Sequence, residues 1–155
     1  MTGTAEFLRH RRAVVLDDAL DNLDRAAPRH YGSVGTDEMR KRLEALFDRL
    51  LEASASRDLL PALAYAEAVA EERFNAGYDL AEIQAAVNAL ETAAWTTIFA
   101  ELEPARYWEA LGLVSTILGA VKDALARRYV SLTVHTHTPA LDLRALFAGT
   151  ERMTA

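Results

Sequence analysis

The chain contains no cysteine. That excludes disulfides, thiolate metal sites and cysteine nucleophiles, and it fits a reducing compartment. No stretch reaches the ~18 uncharged apolar residues that a membrane helix needs; the apolar run over 111–121 stops at Lys122 and Asp123. The N-terminus has no continuous apolar segment after its charges, so it does not read as a secretory signal. A cytoplasmic protein without a membrane span is expected. Basic residues are the minority, 17 Lys and Arg against 23 Asp and Glu, for a net charge of −6. This argues against a nucleic-acid binder held by a broad basic surface. The run Arg9-His10-Arg11-Arg12 reads first as the solvated face of a helix, with a partner or an anionic surface as the other reading.

Recognisable catalytic signatures are missing as well. There is no Gly-rich phosphate loop, no Gly-x-Ser-x-Gly and no His-Glu-x-x-His. A di-iron bundle needs Glu-x-x-His pairs on two helices, and neither is present. Haem needs an axial histidine, but His10, His30, His135 and His137 all stand toward the ends of the chain. His135 and His137, two apart, point to nearly opposite sides of a helix and would share a metal only in an extended segment. Glu6 and His10, four apart, amount to two ligands and not a site. The expectation is therefore a non-enzyme with no catalytic residue, no metal and no cofactor.

What is present is helical periodicity. About half of the 155 residues are apolar, enough for the core of one domain, and they recur at three and four residues. Five main helices are expected. The first runs about Ala5–Ala26. The second starts at Thr36 as N-cap, with Asp37 and Glu38 in its first turn. The third covers about Leu59–Ala76 with Pro61 in its first turn, and the fourth about Leu80–Leu102. The fifth opens at Pro104 and continues to His137, a length of ~50 Å. Pro28 to Gly35 reads as a loop. The fold class is all-α, a compact bundle or non-haem globin-like arrangement with a long last helix. Residues 1–137 form one sensor or interaction domain. Residues 138–155 form a flexible tail in which Leu141, Leu143, Leu146 and Phe147 make a short amphipathic segment.

Three features carry the functional reading. Leu111, Leu118, Leu125 and Leu132 fall at strict sevens on the last helix. This is a coiled-coil-like seam that serves either a homodimer or the core of the same domain. Trp95, Phe99 and Trp108 gather near the junction of the last two helices; they are ordinary core or the wall of an apolar ligand pocket between those helices. Arg73, Gly77 and Asp79 mark a helix stop and start. Gly77 suits the left-handed residue past a helix end, and Asp79 with Glu82 resembles a capping box. Arg73 with Glu71 and Glu72 reads as a solvated salt-bridge cluster.

The wording of that junction, Tyr65-Ala66-Glu67 and then Glu72-Arg73-Phe74-Asn75-Ala76-Gly77-Tyr78-Asp79-Leu80-Ala81-Glu82-Ile83, continues through Ala89-Leu90 to Leu125-Ala126-Arg127-Arg128-Tyr129. With His30-Tyr31 before the second helix, it resembles the N-terminal domain of the RsbRD-type RsbT co-antagonists over residues of about 5 to 132. These are regulators of the general stress sigma-factor pathway and components of stressosomes. The resemblance implies a non-enzymatic, haem-free helical sensor or interaction domain, usually dimeric. In such proteins the last helix leads into a STAS domain that is phosphorylated and contacts a kinase. Only about 26 residues follow Tyr129, too few for a STAS domain, so the expectation is a standalone sensor or adaptor. Its partners are a second copy, a STAS protein, a kinase or another regulator, with no nucleic acid and no membrane.

Overall fold

A computed structural model describes residues 3–26 and 35–137. Among these it contains six α-helices and no strand. They are α1 (Thr4–His10), α2 (Arg12–Ala26), α3 (Thr36–Ser56), α4 (Leu60–Asn75), α5 (Leu80–Glu101) and α6 (Pro104–His137). His30, Tyr31 and most of the expected Pro28–Gly35 loop lie outside the described residues, as does the expected tail.

The all-α class holds, with six helices in place of the expected five. The first expected helix is divided at Arg11, where φ is −102° and ψ 13°. The Arg11 N–H is shared between the Phe7 and Leu8 carbonyls, 3.1 Å from each, and the Val15 N–H returns to the Arg11 carbonyl at 3.0 Å. No Gly or Pro marks this joint. It exists because α1 packs mainly on α3 while α2 packs most heavily on α5; Leu8 on one side of the joint and Val15 on the other are both fully buried. A second boundary also moves. Thr36 is the first residue of α3 and makes no capping bond; Gly35 is the N-cap, its carbonyl accepting from the N–H groups of Glu38 and Met39.

Cross-helix contacts define the topology. Arg11 pairs with Glu101, and the Asn22 amide donates to the Ala89 carbonyl at 3.3 Å, so α2 and α5 run antiparallel. Arg40 with Asp17 at 2.7 Å and Arg12 with Asp48 set α3 antiparallel to α2. The Gln84 amide on the Lys122 carbonyl and the Tyr107 hydroxyl on the Phe99 carbonyl set α5 antiparallel to α6. Arg57 with Glu109 and Arg128 with Glu71 show α4 and α6 parallel. The bundle is an arc α2–α5–α6–α4, with α3 laid across it in contact with every one of the four.

α5 is the central helix. Its buried residues include Ile83, Val87, Leu90 and Ala94 on one side and Ala89, Ala93 and Thr97 on another. Burial over so wide an arc is expected of a helix packed between two neighbours, and the alanines let α2 and α6 approach closely. An outer stripe through Asn88, Thr92, Trp95, Thr96 and Phe99 is left at the surface, together with Ala81 at the start of the helix and Ala100 and Glu101 at its end.

Candidate functional site

The two ends of α5 hold the residues of interest. At its start, α4 closes in a Schellman motif. Gly77 has φ +88°. Its N–H donates to the Phe74 carbonyl at 3.1 Å, and the Tyr78 N–H donates to the Arg73 carbonyl at 3.0 Å. This is the paired bonding that defines the motif. A side chain at Gly77 would meet nothing, so glycine is required by backbone angle alone. The motif folds Tyr78 back over the last turn of α4. Its ring lies 5.8 Å from the Arg73 guanidinium and 5.7 Å from that of Arg42 on α3, and the Arg42 Nη1 donates to the Tyr78 hydroxyl at 3.3 Å. Asp79 then caps α5 by accepting from the Glu82 N–H at 2.8 Å.

This corner corrects one expectation. Arg73 is not part of a solvated cluster; it is 9% exposed, although its carboxylate partner Glu72, 2.6 Å away, faces solvent. Glu71 turns away and pairs with Arg128 on α6. The cause is tertiary: Tyr78 and α3 cover Arg73 from above. Arg42 and Tyr78 were absent from the sequence-derived site. Tyr78 was readable in principle, because the residue immediately after a helix-ending glycine commonly packs on the last turn. Arg42 comes from a distant helix and carries no such signal.

At the other end of α5 the chemistry is reversed. Trp95 and Phe99 pack edge-to-face at 6.0 Å, and Phe99 and Tyr107 do so at 5.3 Å. Yet Trp95 is 36%, Phe99 49% and Trp108 82% exposed. Trp95 and Phe99 line an open depression of ≈ 500 Å³ along the outer stripe of α5. Trp108 does not reach it and projects into solvent from the first turn of α6. Tyr107, one residue earlier, takes the place expected of Trp108, because only that position of the turn faces Phe99.

The leucine row also divides. Leu111, Leu118 and Leu125 are buried in the core with Val114, Ile117 and Val121. The seam faces helices of the same chain, so these three leucines offer no surface to a second copy. Leu132 is half-buried. Beside it, Val130 and Val134 are exposed near the end of α6.

Among the described residues no three His, Asp or Glu side chains are placed to hold a metal. The His10 Nδ1 lies 2.9 Å from the Glu6 carbonyl. No described helix is long and apolar enough to cross a membrane.

A family model described as the RsbT co-antagonist protein rsbRD N-terminal domain matches residues 13–152. The chain belongs to this family. The match covers most of the chain and extends through residues 138–152, which the sequence pattern had set apart as a tail. No curated protein and no solved structure matches the chain. Membership of the rsbRD N-terminal family carries a role in regulating stress signalling.

Proposed function

We propose that this protein is a non-enzymatic regulatory sensor or adaptor, cytoplasmic, acting by protein–protein contact in stress or sigma-factor signalling. The family match over residues 13–152 carries the signalling role. The contact surface is the aromatic end of α5 and the start of α6. Trp and Tyr in exposed patches dominate binding energies at interfaces, and large exposed apolar patches on a folded domain mark interaction sites. The occupant is a second copy of the chain. With the leucine row committed to the core, these aromatics replace it as the homodimer surface. The α6 overhang at Val130 and Val134 is left for a STAS protein, an RsbT-type kinase or another regulator.

Light scattering on the full chain tests this directly. A dimer is expected, and Phe99→Ser with Trp108→Ser should give a folded monomer with an unchanged helical spectrum. A monomeric wild-type protein, or a dimer untouched by both substitutions, rejects the surface. Failure to bind any RsbT-type kinase or STAS protein in titration calorimetry rejects the signalling role.

A second reading is a small apolar ligand; the open depression beside Trp95 and Phe99 is lined by α5 alone, so such a ligand would lie against the outer stripe of α5 and not between the last two long helices. An apolar-ligand screen that leaves both Trp emission and melting temperature unmoved would count against it.

A further inference from the structure

α5 packs against both α2 and α6, and its outward side carries a periodicity of its own. Ala81, Ala85, Asn88, Thr92, Trp95 and Phe99 follow one another at steps of four, three, four, three and four. This is the spacing of a knobs-into-holes seam. Five of the six are exposed, and Ala85 is half-buried. The stripe covers ~27 Å of helix at 1.5 Å per residue.

Side-chain size is graded along it. Two alanines stand at the start, two small polar residues at the centre and two large aromatics at the end. Trp95 and Phe99 hold each other edge-to-face at 6.0 Å, which gives the bulky end a definite shape. A second copy laid parallel would set Trp95 against Trp95, wedge the helices apart and leave a gap at the alanine end. Such a gap forfeits the close packing that stabilises an interface. A copy laid antiparallel, with the twofold axis level with Leu90, sets Ala81 opposite Phe99, Ala85 opposite Trp95 and Asn88 opposite Thr92. Each ring then lies over an alanine, and the helix axes keep one separation of ~8–10 Å along the contact. The open depression beside Trp95 and Phe99 gives room for the alanine end of the second helix.

The polar pair at the centre suits the same register. The Lys122 ammonium donates to the Asn88 Oδ1 at 3.2 Å and pairs with Glu91 at 3.3 Å. The Asn88 oxygen is therefore turned toward its own α6, and the amide NH2 is the end that meets the Thr92 hydroxyl of the second copy. The twofold makes this bond twice. An asparagine at a seam position specifies register in just this way.

We propose that two copies of this chain associate through their α5 helices in antiparallel register, with the twofold axis level with Leu90. The arrangement rests on the homodimer reading and fixes which residues of that surface meet. Trp108 lies off the stripe, at its rim. A contact made mainly along one helix pair falls at the low end of specific interfaces, so the dimer dissociates on dilution.

The chain has no cysteine, so introduced thiols report the register. Asn88→Cys and Thr92→Cys both fall at exposed positions. The two variants are mixed in equal amounts, oxidised mildly and resolved by mass spectrometry. In the antiparallel register position 88 of one copy faces position 92 of the other. Identical positions are offset by about 6 Å along the helix as well as by the helix separation, beyond the reach of a disulfide. The mixed disulfide is expected in at least about threefold excess over the two self-linked dimers combined, where random pairing gives equal amounts. A smaller excess overturns the proposal. A size exchange reads the same register without thiols. Ala81→Phe should weaken self-association about tenfold by overpacking against Phe99, and adding Phe99→Ala to the same chain should recover most of that loss. No recovery overturns the pairing. Light scattering of the wild-type protein over a range of concentrations separates the two claims. A dimer that gives no mixed disulfide keeps the homodimer reading and removes the antiparallel α5 contact, whereas a monomer at every concentration removes both.

Discussion

The two ends of α5 invert the usual distribution of side chains. At its start, charged Arg73 and Arg42 are packed inward around Tyr78. At its end, Trp108 and Phe99 are turned outward. Burying a charge is costly unless it is paired or hydrogen-bonded. The first corner meets that condition with a ring between two guanidiniums, a hydroxyl acceptor and two carboxylates at the rim. Exposing a tryptophan forgoes about 2 kcal/mol or more of burial. The second corner keeps that surface open, which is what the proposed contact surface requires. Residue type therefore does not say which end is structural; the covering elements do.

The contrast is broken most severely by asking whether the leucine row, and not the aromatics, forms the outer contact. Leu118 is wholly buried, so Leu118→Asp should destabilise the protein by more than about 4 kcal/mol. Loss of cooperative melting by circular dichroism is expected; a folded monomer would return the seam to the surface. Arg73→Ala is next, at about 2–3 kcal/mol in urea unfolding, since a packed side chain and its ion pair are lost from a covered site. An effect below about 0.5 kcal/mol would mean that the junction is as solvated as its sequence suggests. Gly77→Ala should cost about 1–2 kcal/mol through the left-handed angle alone; neighbouring packing plays no part, because nothing stands near the added methyl. Trp108→Ala should be the mildest, within about 0.5 kcal/mol in the same assay, while still reducing self-association. A large loss of stability there would show that Trp108 packs against something.

Much of the fold was legible from residue spacing. The ends of α4 and α5 were marked by Gly77 and Asp79, and both are used as those residue types suggest. The long α6 was bounded by its opening proline. The break at Arg11 was not legible, because no residue there is a helix breaker; two packing directions impose it. Nor was the direction of the leucine row. A heptad fixes that a stripe is buried, but a second chain and the neighbouring helices of the same chain satisfy the same spacing. For the candidate site, the sequence singled out Trp95, Phe99 and Arg73 but placed Arg73 on the surface and Trp108 in the pocket. The one-residue difference between Tyr107 and Trp108 is a rotation of the first turn of α6, which only its docking onto α5 decides.

The sequence alone determined the all-helical class, the junction at Gly77 and Asp79, and the family, because these rest on local backbone preference and on the order of residues. Tertiary structure decided the rest: that α5 is central, that Arg42 comes from α3 to share Tyr78 with Arg73, and that the aromatics at the other end remain uncovered. Those outcomes depend on which surfaces meet across long separations in the chain. A helical period reports that a side is covered and is silent about what covers it.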